Sequence, residues 1–326
     1  MRYQILDYLR GVAALFVCLC HFGQVLPAPV AAVVKHGELG VYAFFVISGF
    51  IIPYSMIKGG YGIGGFGRFW VKRLWRLQPT FFVALVVTFV LSQASAWTKG
   101  VGSEFSALHF LKTFFYQAVP GENPVIWTLV IEMKYYLAIS LLFPLVFAEV
   151  RWVRIASFVG CALGGVALEG VSIDVKFVPF FLIGFCACYH VCGRAARWES
   201  LALGAVAVAA SFAASDAAQI AVGVVTAGLI LLNPAFKFRV GAFFGAISYS
   251  LYLIHFPIGV KLINYFMPRV GGAYHPLLFA GALGGSIGAA WLLYWLVEKP
   301  SSERSQKIKF DTRSGRQKPV PIATPV

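Results

Sequence analysis

Apolar positions in this chain run together in blocks of 16 to 24 residues rather than alternating with polar ones. Blocks near 8–26, 38–57, 80–97, 125–148, 153–171, 176–193, 199–215, 218–233, 242–263 and 276–297 each approach the roughly 20 residues a membrane-crossing helix needs. The seventh and eighth are the shortest. The pattern predicts an all-α fold, a polytopic transmembrane bundle of about ten helices. A further apolar stretch from Phe105, FSALHFLKTFFYQAV, carries Lys112 and reads as an interfacial segment. The N-terminal run has Asp7 and Arg10 at its start and no clear small-residue cleavage site after it, so it reads as a retained first helix.

Composition agrees with lipid as the solvent: 59% of residues are hydrophobic and 12% charged, with a mean hydropathy of +0.78. A soluble domain is nearer 45–50% and about 25%. The net charge of +14 raises the question of a nucleic-acid partner, but its distribution is that of a topology signal. With a cytoplasmic N-terminus, 20 of the 27 lysines and arginines fall inside, among them Arg2, Lys237 and seven after residue 298, against six outside. By the positive-inside rule both termini are cytoplasmic, and no nucleic-acid partner is expected. Residues 1–300 then form one transmembrane domain, and 301–326 a basic, disordered cytoplasmic tail held near anionic lipid. No repeat or heptad pattern is present.

The six cysteines all fall in apolar segments, where free cysteine packs as a small hydrophobe. CACYHVC (Cys186 to Cys192) lacks paired metal-ligand spacing, so neither a disulfide framework nor a metal site is expected. KGGYGIGGFG follows a membrane helix rather than a strand, which excludes a dinucleotide-binding reading. Glycines in GELGVYAFFVISGF, and at 281, 284, 285 and 288, suit close helix packing.

Ionisable side chains within membrane helices are costly and mark function by default. They are few: Arg10, His21, Glu132, Lys134, His190 and His255. Arg10 and His21, eleven residues apart, share one helix face about 16 Å apart. His21, Glu132 and His255 converge on one layer in the outer half of the bilayer, which suggests a shared polar cavity. A carboxylate beside an imidazole can fix its tautomer while the ring takes a hydroxyl proton. The bland readings are a packing role for His21 and an ion pair of Glu132 with Lys134 or Arg10. The loop GRFWVKRLWRLQP places Arg68, Lys72, Arg73 and Arg76 at the cytoplasmic surface, where they could seat the phosphates of a nucleotide-bearing donor or simply touch lipid headgroups.

Several segments in order resemble the membrane-bound acyltransferase-3 family, bacterial enzymes that O-acylate surface polysaccharides, lipopolysaccharide and some antibiotics. LDYLRGVAALFVCLCH resembles its opening motif with Arg10 and His21, FFVISGFII its second-helix signature, and KRLWRLQP its arginine pair, Arg73 and Arg76. WTLVIEMKYY, from Trp127, resembles its tryptophan–glutamate motif with Glu132. ISYSLYLIHFPI and YWLVEKP resemble its C-terminal signatures, with Ser248, Tyr249, His255 and Glu298. Tyr8 and Thr128 depart from the commoner residues, and the extracytoplasmic hydrolase-like domain of longer members is absent, so acceptor binding is expected from the membrane core and outer loops.

The resemblance implies a multi-pass protein of the bacterial inner membrane that moves an acyl group, most often acetyl, from cytoplasmic acyl-CoA to a hydroxyl of a surface or lipid-linked glycan. Acyl-CoA (acetyl-CoA) would be a co-substrate, with no bound cofactor. On this reading His21 activates the acceptor hydroxyl and Glu132 orients His21. Arg73, Arg76 and Lys72 hold the donor, Arg10 supports its tunnel, and Trp127, Ser248, Tyr249 and His255 support the site or the acceptor. A covalent acyl-histidine remains open beside direct transfer. A small-molecule acceptor such as a macrolide is an alternative. Proton-coupled glycan or lipid transport is another, disfavoured by the lack of a repeat between halves.

Overall fold

The computed structural model describes residues 3–169, 173–234 and 238–310. Ten helices carry the architecture: α1 (Gln4–Phe22), α2 (Gly40–Lys58), α3 (Phe66–Lys99), α4 (Trp127–Val146), α5 (Arg151–Ala167), α6 (Val178–Val191), α7 (Arg197–Ser211), α8 (Ala217–Leu232), α9 (Arg239–His255) and α10 (His275–Leu293). The described residues contain no strand. Each apolar block expected to span falls on one of these helices. Among the described residues, seven helical stretches, those of α1, α2, α3, α4, α6, α9 and α10 with their extensions, are long and apolar enough to cross a membrane. The helices α5, α7 and α8, of 17, 15 and 16 residues, reach only about 22–26 Å at 1.5 Å per residue. The interfacial segment forms the short helix Ala107–Phe114, whose Ser106 hydroxyl accepts from the His109 N–H.

Local chemistry sets the helix ends. Asp216 and Gln219 form a reciprocal capping box at the start of α8, and α3 stops at Gly100, whose φ of 67° suits glycine. Two sequence readings are corrected. GRFWVKRLWRLQP is not a loop but the first turns of α3, continuous through Pro79. The segment after residue 300 begins as the helix Lys299–Lys307. It is held because Lys72 donates to the Ile308 carbonyl (3.2 Å), the Ser305 hydroxyl donates to the Lys72 carbonyl (2.8 Å), and Phe310 is buried against Tyr61 and Phe69. Residues 311–326, like Arg2 and Lys237, lie outside the described residues.

The centre of the bundle is α1 packed on α9 and α2 packed on α6. Gly11 and Gly245 face each other across the first pair. A Cβ on Gly11 would sit 2.5 Å from the Gly245 nitrogen, and one on Gly245 would sit 2.2 Å from the Asp7 carbonyl oxygen. Close backbone approach of this kind is how membrane helices gain packing in a solvent as apolar as their own side chains. Gly49 and Gly184 do the same for α2 and α6, each with its would-be Cβ within 2.3 Å of a carbonyl oxygen of the other helix.

On the cytoplasmic side expected from the charge bias, buried Arg154 clamps α5 to buried Glu199 of α7 with two hydrogen bonds to one carboxylate oxygen, 3.0 and 2.6 Å, and a third to the Ala148 carbonyl. Overpacking a tight contact costs about 1–3 kcal/mol. Gly245→Ala is therefore expected to lower the melting temperature of the detergent-solubilised protein. Gly228→Ala, whose Cβ would meet nothing within 4 Å, is expected to leave it unchanged.

Candidate functional site

The glycine crossing determines what happens ten residues further on. From Gly11 to His21 and from Gly245 to His255 the offset is the same, so parallel α1 and α9, in register, bring the two imidazoles together about 15 Å along the axis. His255 Nε2 lies 3.2 Å from His21 Nδ1 and the ring centroids are 5.2 Å apart. Each Nδ1 also faces a carbonyl four residues back on its own helix: His21 that of Val17 at 2.9 Å, His255 that of Leu251 at 3.0 Å.

Carbonyl oxygens only accept, so the network assigns the Nδ1–H tautomer to both rings. His255 Nε2 then has a lone pair to accept from His21 Nδ1–H, which is shared with Val17. His21 Nε2 is left as a base. His255 is fully buried, while His21 is partly exposed.

This corrects the role expected of Glu132. Its Oε1 accepts from the Ser48 hydroxyl at 3.0 Å and from the Tyr136 hydroxyl, because α4 sets it against α2. The hydrogen-bond partner of His21 is His255. The bland ion-pair reading of Glu132 with Lys134 also fails, since Lys134 pairs with Asp174. Of the three side chains expected at one depth, the structure joins His21 and His255.

Glu132 instead lines a cavity of about 340 Å³. Arg10, Arg73 and Arg76 also line it, as do Ser48, Tyr136, Ser248, Tyr249 and Tyr252. Arg73 donates to the Ser55 hydroxyl at 3.0 Å and stacks over Phe69 and Tyr136, 5.4 and 5.6 Å from their centroids. Arg76 pairs with Glu298 at 3.2 Å. The histidine pair lies outside this lining. Tyr252 borders both: it lines the cavity, and its ring centroid is 6.1 Å from that of His255. Its hydroxyl accepts from Thr128 at 2.9 Å and donates to the Val125 carbonyl.

Other expected residues divide. Tyr249 donates to the Leu77 carbonyl at 3.1 Å and Ser248 to the Gly245 carbonyl at 2.9 Å, both on the cavity wall. Trp127 does not line the cavity but packs behind its wall, against Phe45, which does line it, and Phe177. Lys72, expected to hold a donor, is turned toward the C-terminal segment. Lys72 and Arg68, four apart, share the α3 face against residues 308–310, and Arg73 and Arg76, three apart, share the face on the cavity. Among the described residues no group of three or more His, Cys, Asp and Glu could hold a metal ion.

A family model described as an acyltransferase domain matches residues 3–295. The chain belongs to this acyltransferase-3 family. Acyltransferase MdmB of Streptomyces mycarofaciens is 28% identical over 196 residues, 55% of this chain and 46% of that protein. The Staphylococcus aureus protein named "Putative O-acetyltransferase SAS0844" is 29% identical over 154 residues, 42% of this chain and 24% of that one. Nodulation protein 10 of Rhizobium leguminosarum bv. viciae is 29% identical over 171 residues, 44% and 43% of the two chains. The chain thus spans about half or less of the length of these relatives. No solved structure matches.

Within this family member, sequence reasoning missed how much the site leans on its supports. Tyr136 lies four residues after Glu132, a spacing that puts both on one helix face. Glu298 is nearly fully buried. Its Oε2 accepts from the Ser250 N–H and hydroxyl at 3.2 and 2.7 Å while its Oε1 holds Arg76. An acidic residue closing the last apolar block was the available signal. Removing Glu298 leaves the Ser250 N–H and hydroxyl without their acceptor and the quarter-exposed Arg76 without its partner, and a stranded buried polar group costs about 1–3 kcal/mol. Glu298→Ala is expected to lower the melting temperature strongly, and exposed Glu303→Ala not to, in thermal unfolding followed by tryptophan fluorescence.

Proposed function

We propose that this acyltransferase carries an acyl group, acetyl in the first instance, from cytoplasmic acyl-CoA to a hydroxyl of a surface or lipid-linked glycan on the far side of the bacterial cell membrane. Ten crossings with both termini cytoplasmic are the accompanying topology. The 20-to-six charge bias and the parallel run of α1 and α9 support it, because helices an even number of crossings apart point the same way. The relative whose name includes O-acetyltransferase supports acetyl as the group and oxygen as the atom that receives it.

The observation that carries the mechanism is the His21 ring, whose Nδ1–H is held by Val17 and His255 so that Nε2 is the base. Arg10, Arg73 and Arg76 supply guanidinium forks for the donor's phosphates at the cytoplasmic end of the cavity. The cavity takes the donor's arm and brings its thioester toward the Tyr252 end. His21 Nε2 removes the proton from the acceptor hydroxyl as the oxygen attacks the thioester carbonyl. The tetrahedral intermediate collapses, the C–S bond breaks, and the leaving CoA thiolate regains that proton from the imidazolium. Glu132, held by Ser48 and Tyr136, balances the arginines across the cavity rather than orienting the base.

General-base catalysis contributes about 10²–10⁴-fold. His21→Ala is expected to lose at least that factor in the transfer rate. His255→Ala is expected to lose less, about tenfold, and His255→Gln, whose amide oxygen can accept from Nδ1–H, to regain part. The check is mass spectrometry of O-acyl groups on the surface glycans of a deletion strain complemented with each variant at matched membrane levels. Wild-type acylation by His21→Ala, or unchanged acylation in the deletion strain, would refute the proposal.

A further inference from the structure

Pro257 lies two residues beyond His255, where the helix widens into a π-turn over Phe256–Val260. Proline has no N–H, so the carbonyl four residues before it, that of Leu253, lacks its α-helical donor. A carbonyl has two lone pairs: in the wider turn the Ile258 N–H, five residues on, can meet one, and a partner from elsewhere in the protein can meet the other. Asn123, fully buried in the segment that leads into α4, supplies one: its Nδ2 donates to the Leu253 carbonyl at 3.0 Å.

The orientation of that amide is determined by its second contact. Nδ2 also lies 3.2 Å from the Thr88 hydroxyl oxygen of α3, and that hydroxyl spends its own proton on the Ala84 carbonyl at 2.8 Å. Both groups facing Nδ2 are acceptors, so the NH₂ and not the carbonyl oxygen points at them. Leu253 sits between Leu251, whose carbonyl takes the His255 Nδ1–H, and His255 itself. The turn that aims His255 at His21 is therefore tied through one side chain to α3 and to the start of α4.

We infer that Asn123 is a positioning residue for the His255–His21 pair, acting through the Leu253 carbonyl, whose α-helical donor Pro257 removes. The inference rests on the role proposed for that pair. Its effect on turnover would appear in kcat, because the ring it aims assists the chemical step, while the arginines that bind the donor are elsewhere.

The test uses the full-length protein in bilayers with its six histidines labelled with 15N, whose signals report which ring nitrogen carries the proton and need neither donor nor acceptor. The His21 and His255 signals are assigned by their loss in the two alanine variants. Asn123→Leu is expected to move these signals and leave the other four in place. Adding Pro257→Ala, which supplies the N–H four residues after Leu253 and so permits the α-helical register there, is expected to return them. Asn123→Asp, which turns an oxygen toward the carbonyl, serves as a second disrupting variant if Asn123→Leu does not accumulate. Signals that stay put in the disrupting variant, or that move and are not returned by Pro257→Ala, overturn the inference. In transfer assays Asn123→Leu is expected to lose about tenfold in kcat with the acyl-CoA KM within about twofold, and a parallel loss in both overturns it. Full transfer by His21→Ala would instead sink the proposed chemistry, while the 15N signals would still decide whether Asn123 positions the pair.

Discussion

The close approach of α1 and α9 at Gly11 and Gly245 governs the rest of the site. Lipid offers helices no hydrophobic reason to associate, so their contact has to come from backbone surfaces that fit. Where two glycines meet, the axes draw close enough that side chains nearly three turns further on are brought into contact. Ten residues later those side chains are His21 and His255. Any residue larger than glycine at the crossing would part the helices at a point from which the histidine contact cannot be recovered by a rotamer change.

The second constraint is the absence of water. Many polar atoms near the site have a protein partner with a definite role, though among the described residues Asn123 Oδ1 and Arg73 Nε have none. Val17 and Leu251 carbonyls hold the two Nδ1 atoms, Asn123 answers the Leu253 carbonyl, Ser48 and Tyr136 hold Glu132, and Ser250 with Arg76 holds Glu298. Breaking one such pair leaves a group that solvent cannot rescue. The network spans α1, α2, α3, α4 and α9 and the segment after α10, so the geometry of the base is set by the whole bundle.

The helical blocks were legible in the sequence because apolar length is itself the requirement for crossing lipid, and Arg10 with His21 because charge in such a block is too costly to be incidental. What pairs with what was not legible. Depth along each helix placed His21, Glu132 and His255 in one layer, but depth says nothing of the angle around the axis, and that angle sends Glu132 to Ser48 and His255 to His21. Lys72 failed for the same reason: one residue from Arg73, it points about 100° away and meets the C-terminal segment instead of the cavity. Asn123 carried no signal of its own. Its signal was Pro257, which announces a carbonyl in need of a donor more than a hundred residues away in sequence.

A neutral partner for the base has an energetic logic of its own. A carboxylate beside His21 would have to be kept ionised within the bilayer, where an unpaired charge costs several kcal/mol at the least. His255 asks for less: neutral in the resting site, it accepts from His21 Nδ1–H with a lone pair rather than a net charge. In the proposed reaction positive charge exists on His21 only while the acceptor's proton is held there. During that interval Nδ1–H has two acceptors, the Val17 carbonyl and His255 Nε2, both already in place. The carboxylates near the cavity are then free to offset the arginines that hold an anionic donor. Separating the two tasks keeps permanent charge at the donor end of the cavity and confines charge at the histidine end to the lifetime of the reaction.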